Sequence, residues 1–195
     1  MTQPSLSVKP PSGRVGESES RAQLRKRLLD LRRSTGAEQR QQWDQQISER
    51  LIQWCRQERP ASLGIYWPIQ AEPDLRDSYP QLREMGIHLA LPLVISKLQP
   101  LVFLQWEPGA PMSKDEYGIP VPQQRERQIQ PEVLLIPCVG FNENNYRLGY
   151  GGGYYDRTLA VAPRPLAIGI AHHQAQSTFA AESHDVPMDL IFTEN

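Results

Sequence analysis

The chain has 195 residues, with 22 acidic and 21 basic side chains and a formal net charge of -1. That balance gives no electrostatic reason to expect a nucleic-acid or membrane partner, and the length suits one domain that buries its core without disulfides or metals. Cys55 and Cys138 are the only cysteines, far apart and outside any metal-ligand spacing. They read as buried thiols of a reducing compartment, and with no apolar run of membrane-span length and no apolar signal core at the N-terminus, a cytoplasmic protein is expected.

Residues 1–18 carry Ser, Pro, Gly and Gln with few bulky apolar side chains, so they are predicted to be a disordered tail before a single domain over 19–195. From Ser20 to Arg33 the pattern is helical: Leu24, Leu28 and Leu31 make an apolar stripe, with Arg21, Arg25 and Arg32 alongside. Six of the thirteen residues from Arg21 to Arg33 are basic. The stripe is either a solvated face or a grip for a triphosphate, whose oxygens match arginine forks. Thr35-Gly36-Ala37-Glu38 has capping-box spacing and predicts a second helix to about Gln57, with Trp43, Ile47, Leu51 and Trp54 facing the core. Ala61 to Trp67 reads as the first strand, ended by Pro68. Glu72-Pro73-Asp74 then predicts a helix to about Met85, with Gly86 as its C-cap. Glu72 is either a capping acid or a ligand contact, since it lies past the C-terminal end of a strand.

His88 to Leu93 and Leu101 to Trp106 are predicted strands, and Trp106 is either a core plug or an aromatic pocket wall. Glu107 to Gln130 is a Pro- and Gly-rich excursion with room for a short hairpin. Val133 to Pro137, Leu166 to Ala171 and Leu190 to Thr193 complete the strands. Helices alternating with short apolar strands predict an α/β fold with a mostly parallel sheet covered on both faces.

The most informative run is Arg147-Leu148-Gly149-Tyr150-Gly151-Gly152-Gly153-Tyr154-Tyr155-Asp156-Arg157. It is not a P-loop, and its glycines are too closely spaced for G-x-G-x-x-G. Glycines alone could mark an ordinary turn, but arginine, tyrosine hydroxyls and a carboxylate flank these, which favours a phosphate site. Asp156, just past the glycines, and Asp189, before the last strand, are candidate Mg²⁺ ligands, because magnesium takes one or two carboxylates plus phosphate oxygens. The plainer reading of Asp156 is a pair with Arg157 or a helix cap. His172 and His173 are adjacent and cannot both face one site; one is expected to be a loop or pocket-lining residue.

RLGYGGGYYDR resembles the signature of the 5-formyltetrahydrofolate cyclo-ligase family. The resemblance implies a Rossmann-like fold shared with ribose-5-phosphate isomerase and CoA-transferase-type domains. It also implies MgATP-dependent closure of 5-formyltetrahydrofolate to 5,10-methenyltetrahydrofolate through a phosphorylated formyl oxygen, with release of ADP and phosphate. Arg25 matches a family arginine that contacts ATP, and Arg21 stands where a lysine is usual. Glu72-Pro73-Asp74 matches the family's Glu-x-Asp, whose glutamate contacts the pterin. Departures are Pro68 for a serine, Val121 for an acid, Asn142 for aspartate, Asn145 for a glycine and Gly152 where a lysine often stands. On this footing ATP is held by Arg21, Arg25, Arg147 and the segment Leu148, Gly149, Tyr150, Gly151, Gly152, Gly153, Tyr154 and Tyr155. Glu72 and Trp106, with Tyr150 and Tyr154, orient the folate; Arg147 and Tyr154 are the catalytic candidates; Asp156 and Asp189 hold the metal. A monomer is expected. The main rival is a sugar-phosphate-binding, isomerase-like protein on the same fold; a nucleic-acid module built on Arg21 to Arg33 lacks an aromatic platform.

Overall fold

The computed structural model describes residues 19–195; the expected tail, 1–18, lies outside the described residues. The first helix, α1 (Arg21–Ser34), starts at a reciprocal capping box between Ser20 and Gln23, a signal also legible as Ser-x-x-Gln. The capping box expected at Thr35 does not form. Thr35 instead closes α1, its hydroxyl donating to the Leu31 carbonyl, and α2 (Ala37–Glu58) opens on Gly36 with no side-chain cap.

Strand β1 (Ser62–Gly64) is shorter than predicted, and no helix begins at Glu72. The chain from Ile65 to Leu75 is a loop with Gln70 and Ala71 both left-handed. Glu72 accepts from the Ile69 amide, and the Tyr66 hydroxyl donates to the Pro73 carbonyl. These bonds hold the segment out of helical geometry, so helical turns start only at Arg76 and lead into α3 (Tyr79–Glu84).

Next come β2 (His88–Leu93) and β3 (Val102–Trp106), then a hairpin of β4 (Met112–Lys114) and β5 (Pro120–Pro122), then β6 (Gln128–Ile129). After β7 (Val133–Pro137), a two-stranded ribbon of β8 (Gly140–Phe141) and β9 (Arg147–Leu148) precedes α4 (Tyr154–Leu159). The chain ends with β10 (Leu166–Ile170) and β11 (Leu190–Phe192).

Seven strands form one sheet in the order β11-β10-β7-β1-β2-β3-β6. The first five run parallel; β3 is antiparallel to β2, and β6 to β3. Alternation along β7 shows why both faces must be covered: Val133 and Leu135 pack with Ile47, Leu51 and Cys55 of α2, whereas Leu134 and Ile136 pack with Leu159 of α4. Helix α1 lies instead against the β8–β9 ribbon through Leu24, Leu28, Val139 and Leu148. Cys55 and Cys138 are free and buried. Among the described residues no helix is long and apolar enough to cross a membrane.

The centre of the sheet is tightly filled. A Cβ on Gly64 of β1 would stand 2.4 Å from Leu134 Cδ2 and 2.9 Å from Phe103 Cε1. Gly64→Ala is therefore expected to lower unfolding stability by about 1–3 kcal/mol through overpacking. Urea denaturation measures it; an unchanged midpoint would show that this layer has slack.

Candidate active site

A cleft of about 1160 Å³ opens at the C-terminal ends of β1, β2 and β7. That exceeds the usual range for one drug-sized ligand and leaves room for two substrates side by side. The cleft collects loops from most of the chain, and its two ends differ in chemistry.

The arginine-lined end is built by α1 and the loop between β9 and α4. Arg21 and Arg25 are four residues apart and project from one face of the helix into the cleft. Arg25 Nε donates to the Gly149 carbonyl at 2.6 Å, and its guanidinium lies beside Gly151. Gly151 and Gly153 are left-handed, with φ of 96° and 67°, a geometry glycine adopts without strain. Gly152 is not left-handed; a Cβ there would press on the Tyr154 ring at 2.9 Å. Arg157 braces the loop from behind by donating to the Gly152 carbonyl. Helix α4 has six residues, so the loop backbone and arginines, rather than a long helix dipole, make this end attractive to phosphate. Leu148 does not belong to it: its side chain is fully buried against α1, because β9 turns that side chain toward the helix.

Asp156 lines the cleft but pairs with neither Arg157 nor a helix cap. Its carboxylate takes a bidentate fork from buried Arg147, both contacts at 2.8 Å. The further carboxylates at this end are Asp185 and Glu182, not Asp189. Asp185 receives Arg21 Nη1 at 2.6 Å and the Glu182 amide. Burial pushes its carboxyl up, but these donors hold it below the ordinary carboxylate range. Asp189 sits at the N-terminal edge of β11, bonded to Arg164 and to the Ala167 amide at the start of β10. The parallel strands carry it to the end of the sheet opposite the cleft, so the Asp156–Asp189 metal pair does not form.

The apolar end is walled by Tyr66, Trp67, Leu91, Val94, Leu101 and Ile119. Trp106 is not part of the wall. It is a buried core residue behind it, edge-on to Trp67 at 6.2 Å and to Tyr79 at 6.1 Å. Trp67, over which Arg76 stacks at 5.0 Å, is the aromatic face presented to the cleft. Within this wall stands Glu72, only 5% exposed. Burial raises its carboxyl to about 7, against the opposing pull of the Ile69 amide, the Tyr150 hydroxyl and the Arg32 charge. The Tyr150 hydroxyl donates to Glu72 Oε1 at 2.9 Å and ties the glycine loop to the apolar end. Half-buried Tyr155 lines the cleft near the Arg147 guanidinium. Tyr154 meets Tyr117 of the β4–β5 hairpin, hydroxyl to hydroxyl at 2.9 Å, so the hairpin tip closes one side.

The histidine pair stays outside the cleft. His172 is buried, bonded to Asp44 at 2.7 Å and packed on Trp43; His173 opens a short turn. Asn145 adopts φ 61°, as expected of a glycine substitute, and Asn142 holds that turn through the Asn144 and Tyr146 amides without needing a charge. The sequence reasoning missed Asp185, Trp67 and Tyr117. The acid cluster Glu182-Ser183-His184-Asp185 and an aromatic just before Pro68 were the available signals for the first two; the long excursion gave none for Tyr117.

The profile of the 5-formyltetrahydrofolate cyclo-ligase family matches residues 17–194. The 5-formyltetrahydrofolate cyclo-ligase of Mycoplasma pneumoniae is 31% identical over 175 residues, covering 88% of this chain and 96% of the relative. That of Escherichia coli K12 is 29% identical over 178 residues, covering 85% and 96%. Among solved structures, a 5,10-methenyltetrahydrofolate synthetase from M. pneumoniae superposes with a TM-score of 0.76 at 28% identity, covering 90% of this chain and 99% of the other. The NMR structure of the Aquifex aeolicus 5,10-methenyltetrahydrofolate synthetase gives 0.77 at 27% identity, covering 89% of each. The matched region contains every segment that builds the cleft, and the chain belongs to the 5-formyltetrahydrofolate cyclo-ligase family.

Proposed function

We propose that the cleft holds both substrates of the cyclo-ligase reaction at once, MgATP at the glycine loop and 5-formyltetrahydrofolate against Trp67 and Glu72. The enzyme converts 5-formyltetrahydrofolate to 5,10-methenyltetrahydrofolate. The observation that carries the two-ended reading is one continuous cleft, lined by arginines, carboxylates and the glycine loop at one end and aromatic with a buried carboxylate at the other, joined by the Tyr150–Glu72 hydrogen bond.

A formamide carbonyl is a weak electrophile and its oxygen a poor leaving group. Attack of that oxygen on the γ-phosphorus forms an O–P bond and breaks the bond to ADP, leaving an iminium phosphate. N10 of the folate then attacks the formyl carbon, the C–O bond breaks, and N10 gives up its proton. The formyl oxygen and a proton both end on inorganic phosphate, which balances the reaction. Such chemistry needs alignment and charge neutralisation more than a protein nucleophile.

Each side chain has a corresponding task. Arg25 fixes the loop at Gly149 and directs its remaining donors to the phosphates, and Arg21 adds a second cation beside them. Arg147 keeps Asp156 oriented, and Tyr154 with Tyr117 walls the reacting end from solvent. Asp156 and Asp185 are hard oxygen donors on one wall of the cleft, which fits Mg²⁺ completed by phosphate oxygens and water. When bound, the metal neutralises phosphate charge. One chain supplies every group named, which suits a monomer, and the two free thiols suit a reducing cytoplasm.

Loading the protein with 5-formyltetrahydrofolate ¹⁸O-labelled at the formyl oxygen, with Mg²⁺ and ATP, tests the route. Methenyltetrahydrofolate absorbance and ADP should rise in equal amounts with the label in phosphate; label in water would rule out phosphorylation. Asp185→Asn is expected to raise the Mg²⁺ concentration for half-maximal rate at least about tenfold, the loss of a charged ligand. Asp189→Asn should leave it unchanged, and the reverse pattern in a Mg²⁺ titration would restore the other pair.

Glu72 links function to stability. Its carboxyl titrates near 7 folded against 4.5 unfolded. A raised folded value means that burial costs nothing below the unfolded value, and that the penalty grows as pH rises through the folded one. Glu72→Gln should therefore gain roughly 1–3 kcal/mol of stability at pH 8. The gain should fade toward pH 4.5 while folate turnover is lost. Urea unfolding at both pH values measures this, and an equal effect at both would show that the Glu72 carboxyl is not raised.

A further inference from the structure

One buried charge has no part in the chemistry above. Arg32, on α1, is 4% exposed, and among the described residues no carboxylate lies within ion-pair distance of it. Its Nη2 donates to the Cys138 carbonyl just past β7, and its Nη1 donates to the Tyr150 hydroxyl at 3.2 Å. A guanidinium stays protonated and can only donate. The Tyr150 oxygen must therefore accept from Arg32, which turns its own hydrogen toward Glu72 Oε1 at 2.9 Å. Glu72 Oε2 already accepts from the Ile69 amide. Both carboxylate oxygens thus face donors, an arrangement that favours the ionised acid. A buried cation with no adjacent counter-ion is costly, and the Glu72 charge, one hydroxyl away, recovers part of that cost without outweighing the cost of its own burial.

We propose that Arg32 is a positioning residue for folate recognition: it sets the direction of the Tyr150 hydroxyl and so presents Glu72 to the folate as a charged acceptor for pterin N–H donors. This rests on the reading of Glu72 as the pterin contact. Arg32 follows Arg25 by seven residues, two helical turns, so one face of α1 serves both ends of the cleft.

Several other titratable groups surround Glu72, and His184 also lines the cleft. Tyr66, Tyr155 and Cys138 are all pushed up by burial, the thiol to about 11. Behind the Ile69–Glu72 turn, Arg40, Asp44, Asp74, Arg76 and Asp77 border a second polar cleft that also reaches Glu72, with His172 bonded to Asp44.

The test is the pH profile of kcat/KM for 5-formyltetrahydrofolate at saturating MgATP, measured on the full chain. The wild type should rise with pH through an inflection near 7 that Glu72→Gln abolishes. Arg32→Met should move the inflection upward by roughly half a pH unit or more. It should also raise the folate KM about tenfold, with the ATP KM within about twofold. Arg32→Lys, which keeps the charge, should restore most of the inflection. Tyr150→Phe should shift it upward as well, and the double variant should shift it by less than the sum of the two single shifts. Should Arg32→Met not fold, Tyr150→Phe and Arg32→Lys still carry the test. An inflection unmoved by Tyr150→Phe and by either Arg32 variant, yet lost in Glu72→Gln, would overturn the role of Arg32. Glu72→Gln with an unaltered profile and folate KM would instead overturn the folate reading on which it rests.

Discussion

The Tyr150–Glu72 hydrogen bond is the joint on which the site depends. One partner belongs to the glycine loop after β9 and the other to the strained turn after β1, so the bond ties together loops separated by 78 positions in sequence. Each side of the joint is built at a local cost. The turn places Gln70 and Ala71 in left-handed conformations that non-glycine residues rarely adopt, and Glu72 buries a carboxyl that would be more stable in water. Around it, the Ile69 amide and the hydroxyl of Tyr150 supply the donors that an isolated buried acid would lack.

The sheet makes this joint possible by bringing strand ends together. Strands β7, β1 and β2 are neighbours and parallel, so the loops leaving them emerge at one edge, where ligands gather in open α/β sheets. The core on each face is apolar and continuous, which leaves the rigid layer free of polar obligations and concentrates charge at that edge. Helix α1 stands apart from the sheet and packs on the β8–β9 ribbon, so its arginines reach the cleft from the side.

Most of the sheet was legible in the sequence, and the loops were not, for physical reasons. Val133 to Pro137 is apolar at every position and could only be a doubly covered strand. His88 to Leu93 matched its strand end to end. The helix expected from Glu72 failed because local propensity cannot see Glu72 reaching back to Ile69. Two similar aspartates near the C-terminus, Asp185 and Asp189, could not be separated by composition. Only strand register shows that one faces the cleft and the other bonds to Arg164 at the opposite edge. Trp106 was assigned to a wall that its neighbour Trp67 occupies, because a strand end gives no sign of which of two stacked rings lies outermost. The glycine run, by contrast, lines the cleft, a place its flanking arginine, tyrosines and carboxylate suggested where the glycines alone could have marked an ordinary turn.

The most direct measurement is a crystal structure of the ternary complex with Mg²⁺, a non-hydrolysable ATP analogue and 5-formyltetrahydrofolate. The pterin should lie against Trp67 with its N–H edge on Glu72, the triphosphate along Gly149 to Gly153 beside Arg25, and the metal against Asp156 and Asp185. A pterin seated away from Glu72, or a triphosphate bound outside the glycine loop, would contradict the two-ended cleft.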